Sequence, residues 1–250
     1  MGARLLSGAG DETGGLDLSV VLPVHNEAGS LPTLWEELTE VLAKGGWTAE
    51  VIFVDDGSTD DGVAFMRGLC AHDPRVRLVR LDGNHGLSAA MDAGLRRARG
   101  RIVVTMDSDL QNDPRDIATL LAAMEGWDAV TGWRRDRHDP WLKRLSSRVA
   151  NAARNAVMHD TVRDSACSLR AMRRACLPDL PRFRGFHRFI PNLLRLTGHR
   201  VLEVEVNHRP RRFGVSHYGV RNRLGTASLD LLAVRWMKAR QLRYEVDHEA

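Results

Sequence analysis

The run Met106-Asp107-Ser108-Asp109-Leu110-Gln111 follows the stretch Ile102-Val103-Val104-Thr105, so a hydrophobic strand ends by presenting two carboxylates at its C-terminal tip. Asp107 and Asp109 stand two residues apart, and an extended chain points both to one side. Two carboxylates held together repel unless a cation lies between them. With the amide of Gln111 beside them they offer hard oxygen ligands for Mg2+ or Mn2+, ions that usually arrive with a phosphate-bearing substrate. An Asp-x-Asp pair alone would serve equally as an exposed acidic turn. Three further polar segments favour the ligand reading: Pro23-Val24-His25-Asn26-Glu27, Val54-Asp55-Asp56-Gly57-Ser58-Thr59-Asp60 and Asn84-His85-Gly86. Asp56, just past a strand, can accept hydrogen bonds from a uracil or guanine edge or from a ribose hydroxyl.

Alternating strands and helices would set these segments side by side. Leu18–Val24 is an apolar strand, and Ser30–Lys44 carries helical spacing in Leu31, Leu34, Trp35, Leu38, Val41 and Leu42. Val51–Val54 is a second strand, with a helix after Ser58-Thr59-Asp60 that a hydroxyl can cap. Val76–Leu81 is the third strand and Leu87–Ala98 a helix. Ile102–Met106 is the fourth strand, Pro114–Met124 a helix opened by proline, and Ala129–Thr131 a short fifth strand. This rhythm predicts a parallel sheet covered on both faces. Ligands of such sheets bind beyond the carboxyl ends of the strands, which lines Pro23–Glu27, Asp55–Ser58 and Asp107–Gln111 along one rim.

After Gly132 the rhythm breaks. Arg134–Trp141 reads as a charged loop, Lys143–Met158 as a basic amphipathic helix, Arg188–Leu196 as a helix and Val201–Val206 as a strand. Asn207–Gly219 is an arginine-dense loop, and Arg221–Leu242 closes the chain as a basic amphipathic helix. The 250 residues suffice for one large α/β domain with a C-terminal extension, and 43% hydrophobic with 27% charged residues is the make-up of a globular one. The division expected is a disordered leader over 1–16, a main domain over 17–220, and the helix and tail over 221–250. Cys70, Cys167 and Cys176 lack metal-ligand spacing and read as reduced thiols. Residues 1–15 are Gly-rich without the apolar core of a signal peptide. Lys44, Lys143 and Lys238 are the only lysines, and arginine density rises after Arg134. That half suits an anionic partner. It holds no recognisable nucleic-acid reading motif or set of stacking aromatics, so nucleic acid is not the expected partner.

Taken in order, the four polar segments resemble those of the inverting family 2 glycosyltransferases. Their fold is the α/β, nucleotide-diphosphosugar-binding (GT-A) type, a mostly parallel sheet flanked by helices. Later segments resemble the branch that loads sugars onto polyprenyl phosphates, which includes dolichyl-phosphate mannose synthases and undecaprenyl-phosphate sugar transferases. These are Gly132-Trp133-Arg134, then Arg144, Ser147 and Asn151, then Asp164–Arg170, and Arg211-Arg212-Phe213-Gly214-Val215-Ser216-His217-Tyr218. The resemblance covers Leu18 to Gly219. It implies that Pro23, His25, Glu27, Val54 and Asp56 meet the nucleoside. Asp107, Ser108 and Asp109 would meet the diphosphate and its Mg2+ or Mn2+, with Gln111 as a further ligand. Arg134 matches an arginine near the sugar nucleotide, and Arg211 the arginine of an Arg-x-x-Gly-x-Ser-Lys loop over the phosphates. Ser216 keeps that pattern, while His217 replaces a lysine with a weaker source of positive charge that Arg212 would offset.

The expected reaction is transfer of a hexose from GDP-mannose or a UDP-sugar to a polyprenyl phosphate, metal dependent and inverting. A phosphate acceptor is nucleophilic near neutral pH, whereas a hydroxyl acceptor asks for a carboxylate base. Asp113 and Asp116 are the nearest such groups to the Asp107–Gln111 run. Arg144 and Ser147 are the expected acceptor-phosphate contacts. Leu224, Leu231, Leu232, Val234, Trp236 and Met237, among Arg221, Arg223, Arg235, Lys238, Arg240 and Arg243, give the last helix the make-up of one lying on an anionic membrane. The alternative is packing on the domain or on a second subunit. Without an apolar run long enough to span a bilayer, the expected location is cytoplasmic, peripheral on the inner membrane face and not secreted. The rivals are a family 2 enzyme acting on a saccharide or small-molecule hydroxyl, and a non-catalytic nucleotide-sugar-binding protein.

Overall fold

Long apolar runs fold here as strands buried on both sides. The computed structural model describes residues 15–134, 162–211 and 220–241, with 220–228 described by backbone alone. β1 (Leu18–Val24) and β2 (Ala49–Asp55) are buried at every position, which is why their sequences do not alternate with polar residues. β3 (Val76–Arg80), β4 (Ile102–Thr105), β5 (Ala129–Arg134), β6 (Arg170–Arg173) and β7 (Val201–Val206) complete a seven-stranded sheet in the order β3-β2-β1-β4-β6-β5-β7. β6 runs antiparallel to its neighbours β4 and β5, and every other pairing is parallel.

The two-residue period of the strands divides the core. Val20, Leu22 and Val24 face the layer of α1 (Leu31–Gly45), α2 (Gly62–His72) and α4 (Asp116–Ala122). Val21, Ile52 and Val54 face α3 (Leu87–Leu95), α5 (Ile190–Leu196) and the buried Val234 of α6 (Val220–Ala239). α3 rests directly on β1, because a Cβ at Gly94 would stand 2.3 Å from a Val21 methyl carbon.

The sheet departs from the sequence expectation at β6. Only Ala171 and Met172 are apolar in that strand, with arginines at both ends, so nothing in its pattern signals a strand buried between two others. β4 stops at Thr105, one residue earlier than expected, and β5 continues to Arg134 because it pairs with β7 along its whole length. α3 ends at Leu95, and a 3-10 turn over Phe186–Arg188 precedes α5. The expected helix over Lys143–Met158 and residues 1–14 of the leader lie outside the described residues.

α6 has two faces. Val234 is fully buried, and Leu231 and Met237 pack against the same core, while Leu229, Leu232 and Trp236 are 68%, 60% and 64% exposed. Its apolar residues are therefore shared between the domain and the surface. Among the described residues no helix is long and apolar enough to cross a membrane. The three cysteines are free, and burial pushes the Cys167 and Cys176 thiols up to about 11, so neither is a ready nucleophile.

Candidate active site

The carboxyl ends of β1, β2, β4 and β5 and the start of β6 share one rim. At the tip of β1, His25 donates from Nδ1 to the Asp56 carbonyl at 2.8 Å. A carbonyl only accepts, so Nε2 is left to accept from the Asn84 amide at 3.0 Å. The Asp56 carboxylate accepts the backbone N–H groups of His85 (2.7 Å) and Gly86 (2.8 Å). The Asn84-His85-Gly86 loop is thereby tied to β2. Gly57, at φ 70, permits this approach, since a Cβ there would lie 2.6 Å from the Gly83 carbonyl carbon. Each Asp56 oxygen retains one further acceptor position for a ligand. Val54 is different: its side chain is fully buried beneath α3, away from the rim.

Beyond Thr105 the chain bends and does not stay extended. Leu110 takes a positive φ of 63 and buries its side chain in the core. A turn, and not a strand's alternation, therefore positions the Asp107 and Asp109 carboxylates. Ser108 donates to the Pro23 carbonyl at 2.8 Å, clamping the turn to β1. The Asn112 side-chain oxygen accepts from the Asp107 N–H at 3.2 Å and from the Ser168 hydroxyl at 2.9 Å. Asp109 Oδ1 accepts the Gln111 N–H at 3.1 Å, and Oδ2 accepts Arg211 Nη2 at 2.7 Å. The same Arg211 nitrogen lies 3.4 Å from Glu27 Oε1, whose partner oxygen takes the Ser30 hydroxyl at 3.0 Å.

Burial and the Asp109 carboxylate push the Asp107 acid above its ordinary value. Two carboxylates that strain against each other suit a divalent cation. Among the described residues no group of three His, Cys, Asp or Glu side chains gathers round one point. The pair fits an ion held by one or two carboxylates together with a substrate's phosphates, the usual manner for Mg2+.

Arginines surround this turn. Arg134, at the end of β5, forms a two-point ion pair with the buried Asp164 at 2.7 and 3.1 Å. Arg170 is buried between Thr105 and Thr131 in the sheet register, and donates to the Ser165 carbonyl at 3.0 Å. Among the described residues, its Nε and the Thr131 hydroxyl have no hydrogen-bond partner. The fields of Asp107 and Asp164 reach Arg170, so the buried cation offsets both carboxylates.

A strap over 207–211 runs along the turn. Asn207 donates to Asp116 from its backbone (2.7 Å) and its amide (3.1 Å). The Arg209 N–H donates to the Gln111 carbonyl at 2.9 Å, and its guanidinium bridges Glu37 (2.7 Å) and Asp113 (2.8 Å). Burial works to raise the Asp113 acid, but hydrogen bonds from Arg115 and Arg209 outweigh it and hold it at about 2. Burial leads in raising Asp116, against the Asn207 bonds.

The structure thus brings Pro23, His25, Glu27, Asp56, Asp107, Ser108, Asp109, Gln111, Arg134 and Arg211 to one rim. Arg144, Ser147, Ser216 and His217 lie outside the described residues. Asn112, Arg170 and Arg209 are additional contributors. Arg170 closes the Asp164–Arg170 segment singled out by its resemblance, which by itself assigns the arginine no role.

Residues 19–180 match the family model described as glycosyl transferase family 2. The chain is 36% identical over 235 residues to a dodecaprenyl-phosphate galacturonate synthase of Rhizobium johnstonii, covering 92% of this chain and 69% of that protein. It is 37% identical over 205 residues to an undecaprenyl-phosphate 4-deoxy-4-formamido-L-arabinose transferase of Aeromonas hydrophila, covering 81% and 63%. In fold it is similar to glucosyl-3-phosphoglycerate synthase from Mycobacterium tuberculosis, solved with Mn2+, UDP and glucosyl-3-phosphoglycerate. That match has a TM-score of 0.66 at 24% identity, over 90% of this chain and 80% of the other.

Proposed function

The chain belongs to glycosyl transferase family 2, and we propose that it moves a hexose from a nucleotide sugar to a polyprenyl phosphate with inversion at the anomeric carbon. The observation that carries the acceptor class is the condition of the two carboxylates after the Asp107–Gln111 turn. A hydroxyl acceptor needs a group to take its proton, and an effective base has its pKa near the working pH. Asp113 is held at about 2 by its guanidinium partners, and Asp116, although burial raises it, has both oxygens taken by the Asn207 N–H and amide. Both carboxylates hold the fold. A lipid phosphate is already an anion and attacks the anomeric carbon without giving up a proton. The names of the relatives, both polyprenyl-phosphate enzymes, support the same acceptor.

In this reading Pro23, His25, Glu27 and Asp56 frame the nucleoside, with Val54 contributing through the strand that carries Asp56. Asp107, Ser108, Asp109 and Gln111 face the diphosphate. Asp107, Asp109 and Gln111 would hold Mg2+ or Mn2+ together with the donor, and the ion would supply positive charge to the nucleoside diphosphate as it departs. Arg134 supplies fixed positive charge beside the carboxylates and Arg211 a charge that the phosphates can take up, with Ser216 and His217 on the phosphates. Arg144 and Ser147 receive the acceptor phosphate. Because the acceptor resides in a bilayer, the outward face of α6, Leu229, Leu232 and Trp236 beside the exposed Arg235 and Arg240, touches the anionic inner surface of the membrane.

The test compares undecaprenyl phosphate with undecaprenol and with soluble saccharides, each offered the same labelled nucleotide sugars. Label is expected in the phosphate acceptor alone. Equal transfer to undecaprenol, or transfer to a soluble hydroxyl, would move the chain to the hydroxyl-glycosylating members of its family.

A further inference from the structure

We propose that Arg211 stands in for the divalent cation on Asp109, and that metal and donor bind by exchange with it. The inference rests on the metal reading above and adds an order of events to it. Asp109 has one oxygen on the Gln111 N–H and the other on Arg211 Nη2 at 2.7 Å. A cation brought to Oδ2 would compete with the guanidinium, because two positive groups on one carboxylate repel each other.

The surroundings let the side chain leave without unfolding the strap. Asn207 stays on Asp116, the Asn112–His208 bridge stays paired, and Arg209 stays locked to Gln111, Glu37 and Asp113. The exchange turns the Arg211 side chain and leaves these strap contacts in place. It is 27% exposed, and Glu27 at 3.4 Å offers a second carboxylate to rest against. The donor's diphosphate, arriving with the metal, supplies the negative charge that takes up the displaced guanidinium. Metal and nucleotide therefore strengthen each other's binding, and by linkage the effect is equal in both directions.

The test measures Mn2+ binding by electron paramagnetic resonance, with and without UDP, in wild type, R211Q, R211K and R134Q. Without UDP, R211Q should bind Mn2+ about two- to fivefold more tightly than wild type, the upper range of a partly exposed ion pair. The factor by which UDP strengthens Mn2+ binding should shrink in the same variant. R211K keeps the charge but replaces the guanidinium with a compact ammonium, and should show part of the gain. R134Q should show less than R211Q, because Arg134 is held by Asp164. Unchanged or weaker Mn2+ binding in both Arg211 variants would overturn the exchange, and so would an equal gain in R134Q, which would mark a general field effect. A wild type that binds no Mn2+ even with UDP would remove the metal reading itself, and the exchange with it.

Discussion

Asp109 carries a backbone N–H on one oxygen and a guanidinium on the other, so replacing it can separate charge from shape. Asp109→Asn keeps an acceptor for the Gln111 N–H but removes the charge that a metal and Arg211 require. We expect kcat to fall by about 100-fold or more, with the melting temperature close to wild type. Turnover within a factor of about three of wild type would contradict the role given to Asp109. Asp113 does a different job at the same turn. Its folded pKa of about 2 lies below the ordinary carboxylate value, so its stabilising contribution is present above about pH 4 and fades as pH falls through about 2. Asp113→Asn should lose about 2 kcal/mol at pH 7, and the gap to wild type should narrow in urea titrations at pH 3. A gap of constant size would show that the ion pairs do not cause it. Asp107 and Asp109 were legible in the sequence because charges after an apolar run demand an explanation. Arg209 was not: its partner Glu37 is 172 residues away, and one arginine does not stand out in an arginine-rich half.

At the scale of elements, α6 shows what composition leaves open. Leucines and arginines on one helix predicted a membrane face, and the structure divides them between core and surface. Val234→Ala should cost about 1–2 kcal/mol of stability and leave liposome binding unchanged. Leu232→Ser with Trp236→Ser should leave the melting temperature near wild type and release the protein from anionic liposomes in a sedimentation assay. If the surface pair destabilises as much as Val234→Ala while binding persists, the outward face has another occupant. β6 was invisible for a related reason. Its stability comes from pairing with β4 through Arg170 to Arg173 and with β5 through Arg170 to Met172, and four residues with an arginine at each end carry no local strand signal. The opposite held for β1, β2 and β4, whose buried runs declared themselves.

The molecule as a whole sets the tips of β1, β2 and β4 together because those strands are parallel neighbours in the sheet. That much followed from the alternation of strands and helices. The insertion of antiparallel β6 between β4 and β5 did not, since strand order is decided by packing over long separations. The insertion has a consequence for function: it brings Asp164, Ser168 and Arg170 to the rim, where Asp164 pairs with Arg134, Ser168 donates to Asn112 and the Arg170 charge offsets Asp107. Transfer to a lipid phosphate at this rim is most directly measured with radiolabelled GDP-mannose, UDP-glucose or UDP-N-acetylglucosamine, undecaprenyl phosphate in detergent, and Mn2+ or Mg2+. With one of these donors, label should move into the organic phase and stop when EDTA is added. Label that enters the lipid equally well in EDTA would contradict the place given to the metal, and nucleotide binding without any lipid product would contradict the acceptor.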